Sequence, residues 1–186
     1  MQRPCFAAWF LGAALALGGC ATPGHADMLA TDAPRALPEQ GPVSVSWADP
    51  STFSEIRDSG NRQDSAQGTW LQDLARYMRQ QAERRLPPGD TLQLTLVDVQ
   101  RAGQYEPWRG MRMQDTRIIR DVYPPRMTLR FRQLDAGGNV VAEGERKLVD
   151  AAFLQTASGD RNDPLRYEKR LVDSWLRREF PSRSPG

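Results

Sequence analysis

The sequence predicts an α+β fold, a two-layer sandwich in which two helices cover one face of a mixed four- or five-stranded sheet. Three observations lead there. Period-two alternation marks strands near 43–47, 91–99 and 126–149. Apolar stripes at helical spacing mark 69–85 and 163–180. The resulting order, strand, helix, three strands, helix, makes the first two strands parallel through a crossover and adds an antiparallel meander.

Each element has its own warrant. Val43, Val45 and Trp47 alternate with serines, and Asp49-Pro50 ends that strand before a short turn through Ile56. Residues 58–68 are polar and glycine-bearing, hence a loop. Thr69 and Gln72 have the spacing of a capping box ahead of Leu71, Leu74, Ala75, Met78 and Ala82. Pro87-Pro88-Gly89 stops that helix. Leu92, Leu94 and Leu96 share one strand face, and residues 101–115 read as a long loop. Residues 117–123 and 126–134 read as two strands, or one bent at Pro124-Pro125, whose missing ladder donors place this region at a sheet edge or a bend. Residues 135–139 are a hairpin loop and 140–149 the returning strand, with Gly144 placed for a bulge. Asp163 and Pro164 open the last helix, which carries Leu165, Val172, Trp175 and Leu176 on one side.

Residues ahead of this domain have a different character. Arg3 precedes an apolar run from Phe6 to Leu17, too short to span a bilayer, and small residues follow. That is the pattern of a secretory leader over 1–19. Leu17-Gly18-Gly19-Cys20 resembles a lipobox, which implies acylation of Cys20 and anchoring to a membrane by several chains. Ala21 in place of aspartate favours the outer membrane, with the domain facing the periplasm. The alternative is ordinary cleavage near Gly24-His25-Ala26, leaving a soluble periplasmic protein. Residues 20–42, with Pro23, Pro34, Pro38 and Pro42, read as a lipidated cysteine and flexible tether. The domain proper is expected over 43–180 and a disordered tail over 181–186.

Composition narrows the chemistry. The chain has 186 residues, 25 basic against 23 acidic side chains, two cysteines and one histidine. Such a charge balance provides no long-range field for nucleic acid. Cys5 lies in the leader, Cys20 at its end and His25 in the tether, so residues 43–180 contain neither histidine nor cysteine. Triads built on histidine, thiol nucleophiles and histidine-ligated metals are thereby excluded from the domain. No cofactor or metal is called for, and no catalytic residue is assigned.

Asp98-Val99-Gln100-Arg101-Ala102-Gly103, Tyr123-Pro124-Pro125-Arg126, and Tyr167-Glu168-Lys169 with Trp175 together resemble the bacterial domain of unknown function 3016 family. The opening 43–50 fits it too, and one departure is Gln100-Arg101, less apolar than the family pattern. The resemblance implies an envelope protein without assigned catalytic residues.

Three constellations remain. Asp98, Asp115, Asp121 and Asp150 lie at strand ends or loops, where converging carboxylates would serve hydrolysis and separate ones cap turns or pair with arginines. Glu168 falls on the apolar stripe of the last helix, so it must be paired or protonated; Arg126 is the expected partner. Tyr105, Trp108, Arg109 and Arg112, with Met111 and Met113, have the composition of an interface hot spot for an envelope partner. The other reading of that loop folds Trp108 back onto its own domain. The function expected is a binding or scaffold module without catalysis. The alternatives are a periplasmic small-ligand-binding domain and a carboxylate-dependent hydrolase.

Overall fold

The computed structural model describes residues 28–155 and 160–181. The expected leader, Cys20 and all of the tail beyond Pro181 lie outside those residues. Four strands, β1 (Val43–Trp47), β2 (Thr91–Gln100), β5 (Arg126–Leu134) and β6 (Val140–Val149), form one sheet in the order β1-β2-β5-β6. β1 and β2 are parallel, and the other pairs are antiparallel. A second, two-stranded sheet joins β3 (Gln104–Tyr105) to β4 (Arg117–Ile118). The helices are α1 (Ser54–Arg57), α2 (Arg62–Ala66), α3 (Trp70–Glu83) and α4 (Arg166–Glu179). The fold is α+β, as the hydrophobic pattern requires.

One face of the large sheet is apolar. Val43, Val45, Leu92, Leu94, Leu96, Met127, Leu129 and Phe131 are all buried against Leu74 and Met78 of α3 and Trp175 and Leu176 of α4. The hydrophobic effect on these side chains is the main force holding the layers together. Phe131, Trp175 and Phe180 meet edge to face at ring separations near 6 Å.

β2 carries a bulge. Leu96 pairs with Leu129 but Asp98 with Thr128, so Val97 is an extra residue. The burial phase shifts there from Leu92, Leu94 and Leu96 to Val99. The end of β2 is thereby turned toward α1.

Several local expectations are corrected. Part of the expected tether is packed: Met28 and Leu37 are buried, and Leu37 N–H donates to Val45 O while Trp47 N–H donates to Arg35 O. Buried apolar side chains hold this segment along the β1 edge despite its prolines. Thr69 makes no capping-box bond; its hydroxyl donates to Asp73 (2.7 Å) instead. Residues 117–123 form only the short β4, because its hydrogen-bonding partner is the two-residue β3 within the expected loop. Gly144 lies in register opposite Phe131, and the shift in β6 falls at Val141. Asp163 closes a turn onto Leu165 N–H (2.9 Å), one residue before α4 begins.

Candidate functional site

Of the motif residues, 98–103, Tyr123 and Glu168 meet at one corner, where the end of β2 meets α1, the β3–β4 pair and the start of α4, whereas Trp175 packs in the main core. Asp98 accepts bonds from the backbone N–H (2.6 Å) and hydroxyl (2.8 Å) of Ser54, fixing the first turn of α1. That turn carries Glu55 inward. One Glu55 oxygen accepts the Arg101 N–H (2.9 Å); the other accepts Arg101 Nε (3.1 Å), Arg101 Nη2 (2.9 Å) and Arg117 Nη2. Arg101 also stacks on Trp70, and Arg117 on Tyr105. Arg117 Nη1 holds the Gly103 carbonyl as well (3.0 Å). Gly103 has φ +82°, and a Cβ there would come within 2.7 Å of Ile118 O, so no other residue fits.

Glu168 lies beside this pair, 1% exposed. Its partner is not Arg126, which is exposed at the start of β5. Instead the Ala102 N–H donates to Glu168 Oε1 (2.6 Å), and Oε2 has no hydrogen-bond partner. Burial pushes its carboxyl up; the Ala102 N–H, its own N–H and the Arg101 charge pull it down, whereas Glu55 raises it. A group so deep cannot reach a substrate. It locks the β2 end onto α4.

A third carboxylate, Glu106, organises the loop. Its side chain is covered, although it sits at the periphery under its own loop rather than under the depth of the fold. It accepts bonds from Arg109 Nε, Arg120 Nη1 (3.1 Å) and the Tyr123 hydroxyl (2.9 Å). Burial raises this carboxyl, but the bonds from Tyr123, Arg109 and Arg120 outweigh it and hold the group below the ordinary glutamate range. The Glu106 bond in turn raises the Tyr123 hydroxyl.

The loop is fastened elsewhere too. Asn61 Nδ2 donates to Asp115 (3.1 Å), Gln104 Nε2 to Asp58 O (3.2 Å), and Gly103 N–H to Tyr123 O (3.0 Å). Gly60 allows the close approach, since a Cβ there would lie 2.4 Å from Tyr105 O. On this frame Trp108 is 70% and Met111 85% exposed.

Of the four residues expected at an interface, the structure therefore separates two pairs. Tyr105 is buried and Arg109 is engaged by Glu106, whereas Trp108 and Arg112 stand in solvent. Trp108 does not fold back. The four aspartates are parcelled among different partners: Asp98 to Ser54, Asp115 to Asn61, Asp121 to Val122 N–H, and Asp150 to Arg170. Glu55 and Glu106 were not legible as site residues, because each is a lone acid in a short aperiodic segment. The one available signal was the Phe53-Ser54-Glu55-Ile56 run, in which Glu55 follows Phe53 by two positions and directly precedes Ile56.

Loosening the frame has a readable consequence. Glu106→Gln removes the charge that three donors share. Trypsin is expected to cut after Arg109 and Arg112 several-fold faster than in the wild type, at a temperature well below the melting transition of either protein, where global unfolding does not set the rate. Equal cutting rates would show that the network does not order the loop.

The fold and this corner define an α+β domain whose buried glutamates, each bound by backbone or arginine donors, brace a protruding loop. The family model described as "Protein of unknown function (DUF3016)" matches residues 41–178, and the chain belongs to that family. No curated protein and no solved structure matches it.

Proposed function

We propose that the protein is a binding or scaffold module without catalysis of its own, and that the 107–113 tip is its contact surface. The observation that carries this reading is the exposure of Trp108 and Met111 on a loop whose backbone is already braced. A large apolar side chain in solvent on an ordered frame loses little conformational entropy when it binds. Tryptophan and arginine are also the residues that dominate binding hot spots. Arg109 and Arg120 are held by Glu106, so among the described residues the free charge beside the tip is Arg112. The partner expected is an envelope protein with an apolar socket rimmed by carboxylates. In this reading acyl chains on Cys20 anchor the module to the outer membrane, facing the periplasm; cleavage without lipidation would leave the same surface soluble.

A photo-crosslinking residue placed at Trp108 or Met111 in intact cells tests the proposal. It is expected to yield one discrete adduct with an envelope protein, while the same residue at the exposed Arg178 on α4 yields none. Trp108→Ala with Met111→Ala, which spares the Glu106 network, is expected to abolish co-purification of the crosslinked partner. Retention of that partner by the double variant would refute the assignment.

A further inference from the structure

The two edges of the large sheet are treated differently. Along β1 the outer edge is occupied: Leu37 N–H donates to Val45 O (2.9 Å) and Trp47 N–H to Arg35 O (2.8 Å). Among the described residues no strand pairs with the outer edge of β6. That edge is ten residues long and free of proline. Such an edge is a template for another strand.

Register identifies the outward-facing backbone groups. Asp150 N–H donates to Pro125 O (3.4 Å), and the same register continues through Met127↔Leu148, Leu129↔Arg146 and Phe131↔Gly144. In an antiparallel ladder, bonded and non-bonded pairs alternate. The even-numbered residues of β6 from Gly144 to Leu148 therefore direct their N–H and C=O groups to β5. Glu143, Glu145, Lys147 and Val149 direct theirs outward. In agreement, the Glu145 carbonyl accepts the side chain of Arg146 (3.1 Å).

We propose that β6 is a self-association seam, on which a second copy of this chain adds its own β6 antiparallel, with Glu145 facing its counterpart at the two-fold axis. The side chains suit this register. On the solvent face it sets Glu143 against the other copy's Lys147 and Val141 against Val149. On the helix side it sets Ala142 against Leu148 and Gly144 against Arg146, a small residue opposite a large one each time. Sliding the pairing one two-residue step in one direction opposes Arg146 to Arg146, although it also sets Glu145 against Lys147 and each Arg146 keeps its own Glu179 (2.8 Å); sliding it the other way opposes Glu143 to Glu145. The paired Glu145 side chains are each neutralised by Arg130 of their own sheet, 3.0 Å away.

Features of the single chain gain a reason. Val141 and Val149, at opposite ends of β6, are 56% and 53% exposed. Lys147, one of two lysines in the sequence, enters no ion pair among the described residues. Lysine on an edge strand ordinarily repels a neighbour, but here the seam supplies it with Glu143. The seam is independent of the Trp108 loop.

Sedimentation velocity on the full chain in detergent tests the idea. The wild type is expected as a dimer of twice the chain mass. Glu145→Pro is expected to be monomeric with an unchanged melting temperature, since the N–H it removes points away from β5. Cysteine substitutions test the register, with the parent chain and its own Cys5 and Cys20 as baseline. Cα atoms in a bonded antiparallel pair lie about 5.5 Å apart, within disulfide reach. Glu145→Cys should oxidise to a covalent dimer by itself, whereas Glu143→Cys and Lys147→Cys should do so only when mixed. A wild type that stays monomeric at every concentration overturns the proposal, and so does Glu145→Cys linking no better than Glu143→Cys alone. Should Glu145→Pro fail to fold, the cysteine set, all at exposed positions, still decides.

Discussion

Glu55→Ala is expected to cost about 3–5 kcal/mol of folding stability, because it strands two guanidinium groups in a largely water-free corner. The Arg101 and Arg117 side chains are only 14% and 17% exposed, and Glu55 is their shared carboxylate. The Arg101 backbone N–H would lose its acceptor as well, a further penalty for a covered donor. Glu55→Gln keeps the shape and an acceptor oxygen but not the charge, so it should fall between wild type and alanine. Urea denaturation of the three proteins makes the comparison. A loss below about 1 kcal/mol, the level of an exposed ion pair, would mean that this corner is not what fastens α1 to β2.

Glu168 is expected to respond in the opposite sense to loss of charge. Its carboxyl is raised by burial, with Glu55 adding to the effect, while the Ala102 N–H, its own N–H and Arg101 lower it less. Between the ordinary glutamate value of 4.5 and the folded value, the native state holds more protons than the unfolded state. Stability from this group therefore falls as pH rises through that window, and the burden is complete above it. Glu168→Gln retains an oxygen for Ala102 but carries no charge. Its melting temperature should exceed that of the wild type by a few degrees at neutral pH. The difference should vanish as pH drops below the ordinary glutamate value.

Glu168→Ala removes the acceptor and leaves a cavity beside a buried N–H, and should lose about 2 kcal/mol at neutral pH. Asp163 and Glu106, held below their ordinary values, lose stability on acidification, so the reading must come from the difference between variants. A Gln variant less stable than alanine at neutral pH would contradict the assigned burial.

How far the fold was legible follows from where its information lies. Alternation in Leu92-Gln93-Leu94-Thr95-Leu96 and the stripe from Leu71 to Ala82 are local, and both elements form where they point. Burial of Glu168 was equally legible, from its place between Val172 and Trp175 on a helical face. Its partner was not, because a backbone N–H leaves no mark in a sequence. Arg126 was a misassignment that alternation itself corrects: Met127, Leu129 and Phe131 face the core, so Arg126 must face out. The Glu55 contacts join residues 46 and 62 positions apart, and no local period reports such a pairing. Composition of the 104–115 loop pointed to an interface but left open which way Trp108 turned. That direction depends on Glu106, whose donors come from Arg109, Arg120 and Tyr123.

The account rests on an ordered frame that presents an exposed tip. Amide hydrogen exchange of the wild-type chain, read residue by residue from Arg101 to Tyr123, measures this directly. The N–H groups of Arg101, Ala102 and Gly103, bonded to Glu55, Glu168 and Tyr123, should exchange as slowly as those in the middle of β2, while Trp108 and Arg112 exchange fast. Exchange of the first three at the rate of an unstructured peptide would contradict it.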